Sequence, residues 1–368
     1  MGEAKHLRSA SRIVFSVFIA IIAVYAVYFL PLPLFIFKPG TAENVRPMVQ
    51  IEEFRYEDKG EFMLTTVSVS GATLFGYLKA MLNGLEEVRL QSELLQGGET
   101  IDEYSQRQEA VMLSSQANAI QAAYKKLGIP YEISRDGVMV VQVHEGVPAR
   151  GVLRPGDVIV KAGDKPVRTT EELQEELQGK RAGDAISLTF RRDGTDHTAE
   201  IELAVLPLAS GEPGGNAPER RAGLGIVSAN VQSVKASSPD KQVHIQAGEI
   251  GGPSAGLMFA LEIYNRLSPH DISKGYKIAG TGMIDTDGNV GQIGGIQHKV
   301  VAADRAGADI FFSPKDYTSP DGKLKAPNYS DALARAKQIG SRMSIVPVGT
   351  IDEALQYLAG LDPKQPGS

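Results

Sequence analysis

The sequence predicts an α+β chain in parts: an N-terminal transmembrane helix, a β-rich module, and a mixed α+β domain towards the C-terminus. Three observations predict it. Residues 13–30 carry no charge and follow a basic tail. Residues 137–206 contain short β-rich runs between turn signals. A glycine-flanked serine, Ser254, opens an apolar run of helical length.

Lys5, Arg8 and Arg12 precede the uncharged stretch Ile13 to Leu30, and Leu32 to Phe37 add apolar length. As a helix the stretch spans roughly 27 Å, close to the hydrocarbon thickness of a bilayer. The expectation is a retained anchor over 13–37, with the lipid bilayer as a partner. Basic residues stay on the cytoplasmic side, which puts residues 1–12 in the cytoplasm and the remainder outside. The Leu30-Pro31-Leu32-Pro33-Leu34 run offers no small-x-small cleavage site, which argues against a removed signal peptide.

Residues 41–127 read as an N-terminal extension packing with the last domain. They carry a β-rich segment, Glu61–Ser70, then helical stretches over 73–83, 92–96 and 103–127, and no evident chemistry. Residues 128–207 form the β-rich module. Pro155-Gly156-Asp157 closes a turn before a strand, a helix follows at Thr170–Leu177, and two more strands come after it. The proline- and glycine-rich stretch 208–221 reads as a linker to a domain over 222–360, and 361–368 as a flexible tail.

The serine lies in Gly251-Gly252-Pro253-Ser254-Ala255-Gly256. A hydroxyl is a weak nucleophile until a base takes its proton. Flanking glycines let a substrate backbone approach, and a helix start supplies free N–H groups and the positive end of the helix dipole. Pro253 has no N–H, so Gly252 and Ser254 are the expected backbone donors to an oxyanion. The plain alternative is a serine that only caps a helix.

Between Tyr276 and Asp316 the pattern predicts a strand over 277–284, a turn at Asp287-Gly288 and a helix from Ile296 to Arg305. On that helix Lys299 shares a face with Ala302, Ala303 and Ala306, a stripe that faces protein. Burial disfavours the charged ammonium, so the amine can be neutral and act as a general base. A lysine snorkelling from a helix edge is the competing explanation.

The segment from about Gln242 to Asp316 resembles the proteolytic domain of the Lon family of serine peptidases. The resemblance rests on Gly252-Pro253-Ser254-Ala255-Gly256, Thr281-Gly282, Ile293-Gly294-Gly295-Ile296 and Lys299. It implies a Ser254–Lys299 dyad, with Thr281 orienting the amine, polypeptide substrates, and a homo-oligomer that in the family is a hexameric ring. The run from Val147 to Val160 resembles a PDZ domain of the bacterial protease-associated type. That implies a peptide groove between the strand near 138–143 and the helix Thr170–Leu177, with Gly137, Val138, Met139 and Val140 as binding residues. The carboxylate loop has two candidates, Leu127-Gly128-Ile129 and Asp136-Gly137-Val138. Together these imply a membrane-anchored extracytoplasmic endopeptidase from a bacterium.

No Gly-x-x-x-x-Gly-Lys-Ser/Thr loop occurs, so no ATP-driven unfoldase is visible and the expected activity is independent of ATP. The net charge of −6 leaves no basic footprint for nucleic acid. Cysteine is absent, Asp285-Thr286-Asp287-Gly288-Asn289 lacks the closing glutamate of a calcium loop, and neither metal nor cofactor is expected. Two other readings stand beside the dyad. Gly252–Gly256 also fits the α/β-hydrolase elbow, with His298 or His244 as base. Or the chain is a catalytically silent membrane-tethered PDZ scaffold.

Overall fold

The computed structural model describes residues 3–51, 59–95, 99–206, 221–248, 250–319, 322 and 325–365, with backbone alone at 3–13 and 221. Its helices are α1 (Glu3–Phe29), α2 (Leu74–Leu82), α3 (Gln91–Leu94), α4 (Ile101–Leu127), α5 (Thr170–Leu177), α6 (Gly256–Leu267), α7 (Ile296–Arg305), α8 (Asn328–Ile339) and α9 (Ile351–Ala359).

A six-stranded sheet organises the larger domain. Its order is Ser344–Val348, Ile310–Pro314, Lys277–Gly280, Glu61–Thr73, Pro31–Asn44, Glu87–Leu90. The first four strands run parallel and the last two pair antiparallel. Alternation along each strand decides which layer it feeds. Phe62, Leu64, Ile278, Ile310 and Phe312 enter the core shared with α4, α6 and α9, whereas Met63, Ala279 and Phe311 enter the core shared with α7 and α8. Helix α6 lies between α4 and the sheet, so most of it is buried, Glu262 and Asn265 included.

The described part of residues 41–127 packs into the C-terminal domain. The strands Glu61–Thr73 and Pro31–Asn44 complete the sheet of the C-terminal domain, and α4 covers α6. Helix α4 begins with a capping box between Thr100 and Glu103 and ends at Gly128 in the left-handed conformation.

The anchor expected over 13–37 takes a different form. Among the described residues no helix is long and apolar enough to cross a membrane. Helix α1 stops at Phe29 and the chain enters a strand at Pro31. Pro31 and Pro33 cannot extend the helical hydrogen-bond ladder, and Phe35 and Ile36 are buried in the sheet. Side chains of α1 from Val14 to Phe29, by contrast, are largely exposed although mostly apolar.

The β-rich module is inserted into this domain through a two-stranded ribbon. Tyr131–Val143 pairs with Ile226–Ala236 along nearly its whole length, from Tyr131 opposite Ala236 to Val143 opposite Ile226. Its sheet has the order Ile226–Ala236, Tyr131–Val143, Val158–Ala162, Ala185–Arg192, Thr195–Glu202. Asp157, buried, receives two hydrogen bonds from Arg192 at 2.7 and 2.6 Å. Residues 226–236, just beyond the expected boundary at 222, pair into the module's sheet. The predicted linker lies outside the described residues except at Arg221; on either side of it, Ala204–Leu206 pairs antiparallel with Arg221–Gly223. In the predicted tail, Lys364 pairs with Asp309 at 2.7 Å, so the chain is still packed there.

The base of the ribbon is tied by Tyr124 at the end of α4. This side chain is wholly buried, donates to the Lys241 carbonyl at 2.6 Å and accepts from the Val243 N–H at 3.2 Å. Burial pushes its phenol up to about 12, so it stays a donor at working pH. Tyr124→Phe leaves both backbone groups short of a partner and should cost about 1–3 kcal/mol in urea unfolding. A midpoint unchanged from wild type would show the tie to be dispensable.

Candidate active site

The turn carrying Ser254 is a short 3-10 segment, Pro253–Ala255, running directly into α6. Two glycines make it possible. Gly252 has φ +87°, a conformation side chains resist, and a Cβ on Gly256 would sit 2.8 Å from both the Ser115 hydroxyl and Ile284 Cγ2. The turn therefore packs against α4 more closely than any larger residue allows.

Lys299 arrives from the opposite face of the sheet. The strand Lys277–Gly280 makes its last pairing at Gly280 opposite Leu64. At the next residue, Thr65, the carbonyl is taken by Lys299 Nζ at 2.6 Å. The same amine lies 2.9 Å from Ser254 Oγ. Lys299 is 4% exposed, and burial lowers its pKa to about 7. Near neutral pH the amine is thus half deprotonated and in direct contact with the serine hydroxyl, and a proton can pass between them. A cavity of about 820 Å³ opens on this pair and is walled in part by Thr66, Val67, Val69 and Met283.

The other expected site residues fall out differently. Thr281, fully buried, donates its hydroxyl to the Ser254 carbonyl at 3.0 Å, so it braces the nucleophile turn and Thr65 orients the amine. The Gly252 N–H donates to the Gln108 carbonyl of α4 at 2.8 Å, so in this conformation it is not available to an oxyanion. The Ser254 N–H has no partner among the described residues. Ser115 of α4 donates to the Pro253 carbonyl at 2.9 Å. Thr65, Gln108 and Ser115 were not legible in the sequence, since two act through backbone carbonyls and all sit more than a hundred residues from Ser254.

No histidine hydrogen-bonds to Ser254 among the described residues. His298 Nε2 lies 3.5 Å from Glu87 Oε2, and burial pushes its pKa below the usual range. His244 sits exposed on a short strand pairing with residues 49–51. The hydrolase-elbow reading has no base.

The PDZ groove also moves. Gly137, Val138, Met139 and Val140 are buried in a strand that is paired on one edge with Ile226–Ala236 and on the other with Val158–Ala162, which leaves no edge for an added strand. Asp136-Gly137-Val138 is within the strand, and Leu127-Gly128-Ile129 is the C-cap of α4. The outer strand is Ile226–Ala236, and it faces α5, with the Thr170 N–H donating to Asn230 Oδ1 at 2.7 Å. The Gly223-Leu224-Gly225 run leads into it, and this glycine pair ahead of an apolar strand was the available sequence signal.

Residues 125–203 match the PDZ domain family and residues 221–358 the Lon protease (S16) C-terminal proteolytic domain, so the chain carries both. It is similar to "Lon protease 1" of Sorangium cellulosum (strain So ce56), 30% identical over 201 residues, 51% of this chain and 23% of that protein. It is also similar to "Serine protease Do-like HtrA" of Lactococcus lactis subsp. lactis (strain IL1403), 36% identical over 80 residues, 22% of this chain and 19% of that one. The chain thus spans less than a quarter of the length of these curated relatives. Among solved structures it is similar to the PDZ domain of the SdrC-like protein from Listeria monocytogenes, with 24% identity and a TM-score of 0.23, covering 26% of this chain and 92% of that one. The Lon-type matches support a serine peptidase.

The depressed lysine pKa carries a stability cost of known sign. Below about pH 7 Lys299 is charged in both folded and unfolded chains, and the full desolvation penalty applies. Between about 7 and the ordinary lysine value the folded amine is already neutral, and the penalty fades as pH rises. Lys299→Met should therefore stabilise the fold by up to about 5 kcal/mol below pH 7 and by almost nothing near pH 10.5, read by urea unfolding across pH. Equal stabilisation at both ends would mean that the lysine is not desolvated.

Proposed function

We propose that this chain is an ATP-independent serine endopeptidase working through a Ser254–Lys299 dyad. The observation that carries it is the buried Lys299 amine, 2.9 Å from the Ser254 hydroxyl, with its pKa lowered to about 7. Ser254 Oγ attacks the scissile carbonyl carbon while its proton passes to the neutral Nζ. The resulting oxyanion is met by the Ser254 N–H at the start of α6. The protonated amine then gives its proton to the leaving nitrogen as the C–N bond breaks. Water, deprotonated by the same amine, hydrolyses the ester and restores the serine.

The substrate lies extended along Glu61–Thr73. Past Leu64 the edge of this strand towards Lys277–Gly280 is no longer paired, and Thr66, Val67 and Val69 line the cavity there. An exposed or unfolded polypeptide can add to that edge. The PDZ domain docks a chain end on the outer strand Ile226–Ala236 beside α5. The exposed apolar side chains of α1 support attachment to a bilayer, with the catalytic domain on the extracytoplasmic face. Self-association, which the Lon resemblance implies, is open to light scattering.

Peptide cleavage without ATP tests the reading. Ser254→Ala and Lys299→Arg should each lose at least about a thousandfold in kcat, the second because a guanidinium stays protonated. His298→Ala should keep its base-dependent pH profile. Substantial turnover by Lys299→Arg would remove the lysine as base. In the wild type, kcat/KM should rise with pH through a midpoint near 7 and then level off, as the amine loses its proton. A profile flat from pH 5 to 9 would contradict a lysine base.

A further inference from the structure

We propose that Ser115, on α4, is a positioning residue that aims the Ser254 N–H at the oxyanion. The proposal rests on the reading of Ser254 as nucleophile and names a further residue of that same site.

A peptide unit is planar and trans, so its C=O and N–H point in opposite directions. The Pro253 carbonyl and the Ser254 N–H belong to one such unit. Whatever holds the carbonyl therefore sets the direction of the N–H. Ser115 Oγ donates to that carbonyl at 2.9 Å, and the Gly256 N–H also reaches it as the 3-10 turn closes. Ser115 is 3% exposed and lies outside the catalytic cavity, while Ser254 lines it. Holding the carbonyl at Ser115, which is outside the cavity, turns the N–H away from Ser115, and it is Ser254 that lines the cavity.

The adjoining peptide unit is clamped as well. The Ser254 carbonyl accepts from the Gly282 N–H at 2.8 Å and from the Thr281 hydroxyl at 3.0 Å. Ser254 thus sits between two peptide planes, each held by a hydroxyl from a different element. The donor count makes Ser115 matter more. Of the two backbone donors expected from the sequence, the Gly252 N–H is bonded to the Gln108 carbonyl, and Pro253 has none. The orientation of the single Ser254 N–H then decides how well charge developing on the substrate oxygen is met, and a misdirected donor loses its effect only in the transition state.

The experiment uses the full chain with a chromogenic peptide and a peptide boronate, whose tetrahedral adduct with Ser254 Oγ places an oxygen where the oxyanion forms. Ser115→Ala should lower kcat about tenfold to a hundredfold with KM within about twofold. It should weaken the boronate by the same factor and leave the pH midpoint of kcat/KM in place. Ser115→Thr, which keeps the hydroxyl, should recover most of kcat. If Ser115→Ala does not fold, Ser115→Cys, similar in shape with a weak donor, should show a smaller loss of the same kind. Unchanged kcat and boronate affinity in a folded Ser115→Ala or Ser115→Cys, beside an inactive Ser254→Ala, would overturn the assignment to Ser115 alone. A loss shared between kcat and a shifted pH midpoint would overturn it too, since that would place the effect on Lys299. Full activity in Ser254→Ala would instead sink the peptidase reading.

Discussion

Burial of a lysine amine removes it from water and disfavours its charge, and the desolvation of Lys299 bears on much of the surrounding architecture. The lysine stands on α7, on one face of the sheet, and the serine on the start of α6, on the other. They can meet only where the sheet opens. That opening is where Lys277–Gly280 stops pairing while Glu61–Thr73 continues, so one strand end creates the passage, the carbonyl that holds the amine, and an edge left unpaired among the described residues. The desolvation penalty is offset elsewhere, by the apolar packing of α6 between α4 and the sheet.

Around the serine the same economy holds. The turn Gly252–Gly256 carries too few side chains to stabilise itself, so its carbonyls and N–H groups are bound by Ser115, Thr281, Gly282 and Gln108. Two of these come from α4, a helix encoded before the PDZ domain. Insertion of the module through a paired ribbon lets α4 and α6 be neighbours despite more than a hundred intervening residues, and Tyr124 ties the ribbon's base to α4. The module is also held at the other end of α4, where Arg150 bonds Glu103 at 2.9 Å and the Val143 carbonyl at 3.0 Å. The PDZ domain therefore grips the helix that braces the nucleophile turn.

The reading of Gly137–Val140 as a peptide-binding strand failed for a reason that belongs to strands in general. An apolar β-rich run identifies a buried strand but carries no information on whether its edges are free. Here the outer position went to Ile226–Ala236, which pairs outside Tyr131–Val143. The N-terminal stretch shows a related ambiguity. Leu32 to Phe37 is apolar enough to prolong a membrane helix, yet Pro31, Pro33 and pairing with a strand on either side made a strand of it.

By itself the sequence singled out Ser254 and Lys299 and the local settings of each. Glycines around Ser254, the apolar run behind it, and the alanine stripe beside Lys299 are periodic, local signals, and local signals survive in one dimension. The helix limits at Ile296–Arg305 and Thr170–Leu177 were legible for the same reason. Tertiary structure decided everything that depends on pairing across distance. It gave Thr281 to the serine carbonyl in place of the lysine, occupied the Gly252 N–H, brought Thr65 and Ser115 beside Ser254, and built the strands Pro31–Asn44 and Glu61–Thr73 into the sheet of the C-terminal domain. Backbone carbonyls and N–H groups are the same at every residue, so which of them meet is set by the packed chain and by no residue type.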